Sequence, residues 1–290
     1  MNASPTENAP AKINLTLRIV GRRADGYHEL ESLVAFADAA DALALQPGES
    51  TALTVEGPFA AACGSLADNL VLKAAAALRD RVPKIRAGHF RLLKNLPVAG
   101  GVGGGSADAA AALRLLARVN SLSPGDARLA ASALAAGADV PVCLDLRSRI
   151  MCGVGEKLSA RIAVPELPAL LVNPGVPLST RDVFAAFSAA FPAQKPLGPV
   201  PEEREAFLAF LAGHGNDLTQ AAIACAPAVA EVLCVLEAMT GVRVVRMSGS
   251  GPTCFALFNT AAEAVEARRT LQAVQKNWWV HAGTIGPGER

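Results

Sequence analysis

A surplus of charge is the first thing this sequence lacks: 27 Lys and Arg stand against 26 Asp and Glu, a formal net charge of +1 over 290 residues. A chain so balanced offers no bulk attraction to nucleic acid or to an anionic membrane. Aromatic residues are only 4% of it, with one Tyr and two Trp, too few for a base-stacking platform. No stretch reaches the roughly 18 uninterrupted apolar residues of a membrane-spanning helix. The start, MNASPTENAP, has neither a basic leader nor an apolar core, so a cytoplasmic location is expected. The six cysteines (Cys63, Cys143, Cys152, Cys225, Cys234 and Cys254) include no C-x-x-C pair, and none of the four histidines lies within five residues of a cysteine or of another histidine. Neither a zinc site nor a disulfide framework is indicated, and reduced thiols are expected. With 51% hydrophobic and 18% charged residues, the chain is globular and long enough for one large domain or two modest ones.

What is present reads as alternating strands and helices. PAKINLTLRIV (10–20) alternates apolar and polar residues as a half-buried strand does, and ESLVAFADAADALAL continues in strand character. An apolar stripe at helical spacing over 68–82 predicts a helix with Asp68 as N-cap. AGHFRLLKNLPV predicts a strand, and 106–119 a helix. SPGDARLAASALAAG predicts another, with Ser123 as N-cap, Pro124 in its first position and Gly137 as its stop. Further on, LPALLVNP (167–174), VRVVRM, TCFALF and NWWVHAGTI read as strands. STRDVFAAFSAAF, PAVAEVLCVLEAMTG and AAEAVEARRTLQAV read as helices, and PAQKPLGPVP (192–201) as a surface linker. This order predicts a two-layered α+β protein dividing near 150–165, into 1–160 and 161–290.

The densest signal is LPVAGGVGGGSADAAAALRLL (96–116), with five glycines in the six positions 100–105 and a helix pattern directly behind them. Glycine in bulk costs backbone entropy, so the cluster needs a compensating reason. A glycine loop feeding a helix N-terminus gathers unpaired N–H groups and the positive end of the helix dipole, which suits a phosphate. Neither familiar phosphate motif fits. Ser106 stands where a P-loop needs lysine after Gly100 and Gly105, and again where the dinucleotide fingerprint needs a third glycine after Gly101 and Gly103. Phosphate binding is still favoured over a bare turn, because a flexible turn would not lead straight into a strong helix.

Other stretches say less alone. SGSGP (248–252) reads as an ordinary turn as readily as a site. Asp139 follows a helix stop, where aspartate is usually a turn-former. Lys12, in an otherwise apolar strand, must snorkel outward or find a partner. Tyr27, the sole tyrosine, stands beside His28 in a polar turn.

Taken in order, PAKINLTL, LPVAGGVGGGSADAA and MSGSGPTCFAL resemble the three motifs of the GHMP kinases. PAKINLTLRIVGRRADGYHELESL, GGGSADAAA and GADVPVCL are similar to one branch of that family, the kinases of a cytidine-diphosphate-linked methylerythritol in the non-mevalonate route to isoprenoids. The resemblance runs from about Pro10 to the last strand. It implies a ribosomal-protein-S5-domain-2-like N-terminal domain and a ferredoxin-like C-terminal domain. The implied reaction moves a phosphoryl group from ATP, with Mg²⁺, to the 2-hydroxyl of a small cytidine diphosphate substrate.

The family's catalytic pair falls on Lys12 and Asp139: Asp139 would accept or orient the hydroxyl proton, and Lys12 would keep Asp139 ionised and steady the attacking oxygen. ATP would lie along Pro97, Val98, Ala99, Gly100, Gly101, Val102, Gly103, Gly104, Gly105, Ser106 and Ala107, the glycines making room for the triphosphate. Ser106 is also the implied Mg²⁺ contact. Tyr27 and His28 would read the cytosine, with Phe184 as a second face of the stack, and Asn14 and Thr180 would contact the methylerythritol or diphosphate. Ala99, Val102 and Ala107 depart from the family's usual glycine, leucine and second serine. No nucleic acid or membrane partner is implied, and the chain would act as a monomer or homodimer. The rival readings are a mevalonate-, homoserine- or sugar-type kinase of the same family, and a non-catalytic nucleotide-binding module. DGYHEL argues against the first, and the retention of both Lys12 and Asp139 against the second.

Overall fold

The computed structural model describes residues 4–188 and 197–288. Its strands are β1 (Thr6–Asn14), β2 (Arg18–Arg22), β3 (His28–Gly48), β4 (Ala52–Glu56), β5 (Ala87–Leu93), β6 (Arg149–Gly153), β7 (Lys157–Leu158), β8 (Leu167–Asn173), β9 (Val242–Met247), β10 (Cys254–Phe258) and β11 (Trp279–Gly286). The helices are α1 (Leu70–Arg81), α2 (Gly104–Val119), α3 (Ala127–Ala136), α4 (Val140–Asp145), α5 (Thr180–Ala186), α6 (Arg204–Ala212), α7 (Thr219–Cys225), α8 (Ala228–Glu237) and α9 (Ala261–Val274). The chain gathers into two compact units. One comprises Met1–Ala11, Ala39–Val98 and Gly103–Leu146; the other comprises Lys12–Asp38, Ala99–Val102 and Arg147–Arg290. The chain enters each unit more than once, so a single cut near 150–165 does not separate them.

In the first unit β4 and β5 run parallel, with α1 as the crossover that a parallel pair requires. β5 pairs antiparallel with the C-terminal part of β3, from Ala42 opposite Leu93 to Gly48 opposite Ala87. Helix α2 packs against α1, α3 and α4. Its run of Ala107 and Ala109–Ala112 is fully buried, because only small side chains let three helices close around a fourth.

The second unit holds an antiparallel series in which the N-terminal part of β3 pairs with β11, β11 with β8, β8 with β10, and β10 with β9. Leu170, Val172, Met247 and Phe258 from this sheet meet Val183, Ala222, Val229, Val232, Leu236 and Leu271 from the helices in one apolar core. α9 starts with a capping box: Thr260 Oγ1 accepts the Glu263 N–H at 3.2 Å, and a Glu263 carboxylate oxygen accepts the Thr260 N–H at 2.9 Å.

Several sequence expectations shift by a few residues, each for a local reason. The single strand over 10–20 is two strands, broken where Leu15 and Thr16 both donate their N–H to Leu33 O, at 2.8 and 3.4 Å. Two residues opposite one is the geometry of a bulge. α1 is capped by Asn69, whose Oδ1 accepts the Val71 N–H at 2.9 Å; Asp68 closes a 3₁₀ turn before it. α3 is capped by Asp126 rather than Ser123, which instead accepts the Gly125 N–H at 3.3 Å in a tight turn containing Pro124. α2 begins two residues before Ser106, and α4, α6 and α7 were not anticipated. Ser179 caps α5 as expected, but that helix ends at Ala186; residues 189–191 of its predicted span and 192–196 of the linker lie outside the described residues.

Replacing Thr260 by Ala should lower stability by about 1 kcal/mol in urea-induced unfolding, since one cap and its reciprocal bond are lost together. A change within error of zero would show that apolar packing alone sets the start of α9.

Candidate active site

Residues 99–102 of the glycine loop belong to the second unit and are held there through their backbone. The Lys12 N–H donates to Val102 O at 2.9 Å, and the Thr253 N–H donates to Gly100 O at 3.1 Å. Between them the buried Ser248 hydroxyl donates to Gly101 O at 2.9 Å and accepts the Asn14 N–H at 3.1 Å. A Cβ on Gly101 would lie 2.5 Å from Ser248 O and 2.7 Å from Gly251 O, at a φ of +74°. Gly101 is therefore small because the SGSGP turn presses on it, a reason for this glycine within the protein itself. It also gives that turn a role: 248–252 is the seat of residues 99–102.

The lysine and asparagine of the first motif lie at the end of β1. Lys12 and Asn14 are both about 4% exposed. Asn14 Nδ2 donates to Ser32 Oγ at 2.7 Å, while its Oδ1 is buried with no hydrogen-bond partner. The next carbonyl, Leu15 O, takes a 2.7 Å bond from Arg246, whose guanidinium also reaches Leu211 O at 2.8 Å. Burial pulls Arg246 down to about 10.

Residues 103–107 and Asp139 lie in the first unit. Gly103, with φ +62°, is the left-handed cap of α2, and Gly104 opens the helix. The first-turn amides of a helix have no intrahelical acceptor, so those of Gly104, Gly105 and Ser106 are available to an anion. Gly105 is exposed and Ser106 half-buried. Asp139 is half-buried at the entry to α4, with its carbonyl accepting the Cys143 N–H at 3.4 Å.

Beneath the start of α2 lies a charge cluster that no motif announced. Lys94 Nζ stands 2.5 Å from Asp41 Oδ2 and 2.7 Å from Asp108 Oδ2, all three side chains being buried. Burial alone would pull Lys94 down; the carboxylates of Asp108 and Asp41 outweigh it and hold the ammonium above the ordinary lysine range. Burial pushes the Asp108 carboxyl up, with Lys94 opposing.

The residues expected to read the acceptor are partly brought together. His28, at the start of β3, lies 5.4 Å from the Phe184 ring at a 30° tilt and 5.7 Å from Phe187 edge-on. Burial, reinforced by the Arg22 charge, lowers the His28 pKa. Tyr27 is 65% exposed on the turn before it. Thr180, exposed at the start of α5, places its Oγ1 2.8 Å from Ser250 Oγ. Ser248, Ser250 and Phe187 were not singled out in advance, although the two serines stand inside a turn already marked by its glycines. Among the described residues no group of three His, Cys, Asp or Glu side chains is placed to hold a metal ion, and no helix is long and apolar enough to cross a membrane.

The fold and the loop match a known class: residues 69–145 correspond to the GHMP kinases N terminal domain and residues 204–277 to the GHMP kinases C terminal domain. A 4-diphosphocytidyl-2-C-methyl-D-erythritol kinase of Rhodopseudomonas palustris is 54% identical over 289 residues, covering 96% of each chain. The protein of the same name in Bradyrhizobium diazoefficiens is 52% identical over 96% of this chain and 97% of its own. A crystal structure of 4-(cytidine 5'-diphospho)-2C-methyl-D-erythritol kinase superposes with a TM-score of 0.79 at 35% identity, over 98% of this chain and 100% of that one. The chain belongs to the GHMP kinases and, within them, to the family of these 4-diphosphocytidyl-2-C-methyl-D-erythritol kinases.

Gly101→Ala should cost more than about 2 kcal/mol in denaturant unfolding, because it combines a left-handed φ with contact on fixed backbone. A loss below about 0.5 kcal/mol would mean that the 248–252 turn yields easily. Phe184→Ala should bring the His28 pKa, read from its ring proton shifts by NMR, up toward 6.5. In the intact protein the folded state resists protonating His28, so its contribution to stability is present above the unfolded value of 6.5 and is lost as pH falls below it through the lowered folded-state pKa. A His28 pKa unmoved by Phe184→Ala would show that burial under that ring is not the cause.

Proposed function

We propose that the protein transfers the γ-phosphoryl group of ATP to the 2-hydroxyl of 4-diphosphocytidyl-2-C-methyl-D-erythritol, giving the 2-phosphate and ADP, in the methylerythritol phosphate route to isoprenoids. The observation that carries this reading is the near-full-length identity of 54% to a kinase named for that compound. The site residues support it in kind. Phosphoryl transfer asks a protein mainly for positioning and for charge stabilisation of a loose transition state.

On this reading the phosphates lie along residues 97–107, on the amides that open α2, with Gly101 and Val102 serving to seat the loop. Asp139 accepts the proton of the acceptor hydroxyl or aligns it for in-line attack. Lys12 steadies negative charge at the attacking oxygen. His28, held neutral near pH 7 by its lowered pKa, has one ring nitrogen to donate and one to accept, as the edge of a cytosine requires. Tyr27 and Phe184 supply ring faces for the base, and Asn14, with its unpartnered buried Oδ1, and Thr180 hold the polar remainder of the substrate.

Magnesium fits this donor set as an ion carried by the nucleotide. It takes hard oxygens in octahedral geometry and is usually held by substrate phosphates, water and one or two protein oxygens. The Ser106 hydroxyl, in the first turn of α2, would be such a ligand, and the ion would neutralise charge on the phosphates. We place the enzyme in the cytoplasm, where its six cysteines remain thiols.

Purified protein with Mg-ATP and the cytidine substrate should give a new phosphomonoester signal by phosphorus NMR. Mevalonate in its place should give none. Asp139→Asn and Lys12→Met should each cut transfer by at least about a hundredfold while ATP binding persists. Transfer that survives in Asp139→Asn would remove Asp139 from its role. No transfer to the cytidine compound by intact, ATP-binding protein would sink the substrate assignment.

A further inference from the structure

We propose that Asp41, Lys94 and Asp108 form a charge staple that ties the entry of the glycine loop to its exit, and that Lys94 and Asp108 are positioning residues for nucleotide binding. This deepens the reading of residues 97–107 as the nucleotide loop and rests on it.

The chain leaves β5 at Leu93 and returns as α2 at Gly104. Its way out is set by Asp41, whose Oδ1 accepts the N–H of Asn95 at 2.6 Å and of Leu96 at 2.8 Å. Its way back is set by Asp108, one helical turn after Gly104 and therefore on the same face of α2. Lys94 joins the two, donating to Asp41 Oδ2 at 2.5 Å and to Asp108 Oδ2 at 2.7 Å. Gly104 is part of the device: a Cβ there would stand 3.1 Å from Lys94 Nζ and 3.6 Å from Asp41 Oδ2. Its missing side chain is accounted for by the ammonium beneath it.

Stability alone does not explain a buried ammonium set between two buried carboxyl groups. Such groups lose their hydration, and apolar residues of similar size commonly serve a core as well or better. α2 already has apolar packing against α1, α3 and α4. What packing lacks is direction. Apolar contacts tolerate small rotations and slides of a helix, whereas charge-assisted bonds hold their atoms at short, defined separations. The staple therefore fixes the first turn of α2 relative to the strand end from which the loop departs. An anion site made of backbone amides depends on that orientation, since small misplacement of a binding group is costly.

Asp108 engages Lys94 through one oxygen, and its Oδ1 is buried without a partner. A single carbonyl-type oxygen is therefore enough at this position, so Asp108→Asn should keep the staple and Asp108→Ala should break it. Both leave the Lys94–Asp41 pair intact. The test measures the Kd for Mg-ATP by calorimetry, the KM for each substrate, kcat and the thermal transition. In Asp108→Ala the Kd and KM for ATP should rise about tenfold, with the KM for the cytidine compound within about twofold of the parent. Asp108→Asn should recover ATP affinity to within about threefold.

Should Asp108→Ala fail to fold, Gly104→Ala, which presses on Lys94 from above, should show the same selective weakening toward ATP. An unchanged ATP Kd in folded Asp108→Ala, or equal losses for both substrates, would overturn the staple. Parent protein that binds Mg-ATP yet transfers nothing to the cytidine compound would sink the substrate assignment alone, because the staple is read on ATP binding. Parent protein that does not bind ATP would overturn both.

Discussion

One serine hydroxyl carries much of the local order around the glycine loop. Ser248 Oγ accepts from the Asn14 amide and donates to the Gly101 carbonyl, joining the end of β1, the 248–252 turn and residues 99–102 through a single buried atom. The backbone bonds on either side, Lys12 to Val102 and Thr253 to Gly100, only form if that segment lies flat against its neighbours. Gly101 makes this possible, since the place of a side chain is taken by two carbonyl oxygens. Buried polar networks of this kind specify a single arrangement, because each unsatisfied group would be costly.

The glycine cluster thus answers to several masters. Gly101 meets the SGSGP turn, Gly103 supplies a left-handed cap, and Gly104 clears Lys94, while Gly105 is exposed. Much of what looks like space for a ligand is space for the protein's own backbone and for one buried ammonium. On the proposed nucleotide reading, a loop pinned at defined points offers its remaining amides in a defined direction. A phosphate gains most from donors whose orientation has been set before it arrives.

The helix behind the loop shows the same economy of size. α2 is buried along most of its first three turns, which the alanines permit. The first of its two arginines, Arg114, reaches Glu7 Oε2 at 3.0 Å, Asn8 O at 2.8 Å and Cys143 O at 2.8 Å, tying the start of β1 to α4. Small residues set the fit, and long cations at the far end lock it.

Local pattern by itself determined the element types for most of the chain, the glycine loop with its helix, and, through motif resemblance, the kinase family. These are properties of neighbouring residues: period-two alternation, helical stripes and a run without side chains. Caps were legible only to within a few residues, since Asp68 against Asn69 and Ser123 against Asp126 are near-equivalent choices until the backbone decides which oxygen meets an amide. The tertiary structure alone decided which glycine serves which neighbour, that the SGSGP turn seats residues 99–102, and that Asp41, Lys94 and Asp108 share one buried cluster. Asp41 and Lys94 are 53 positions apart, Asn14 and Ser248 are 234, and no local pattern carries a bond of that range. Such contacts arise from the packing of whole strands and helices, which a window of neighbouring residues does not contain.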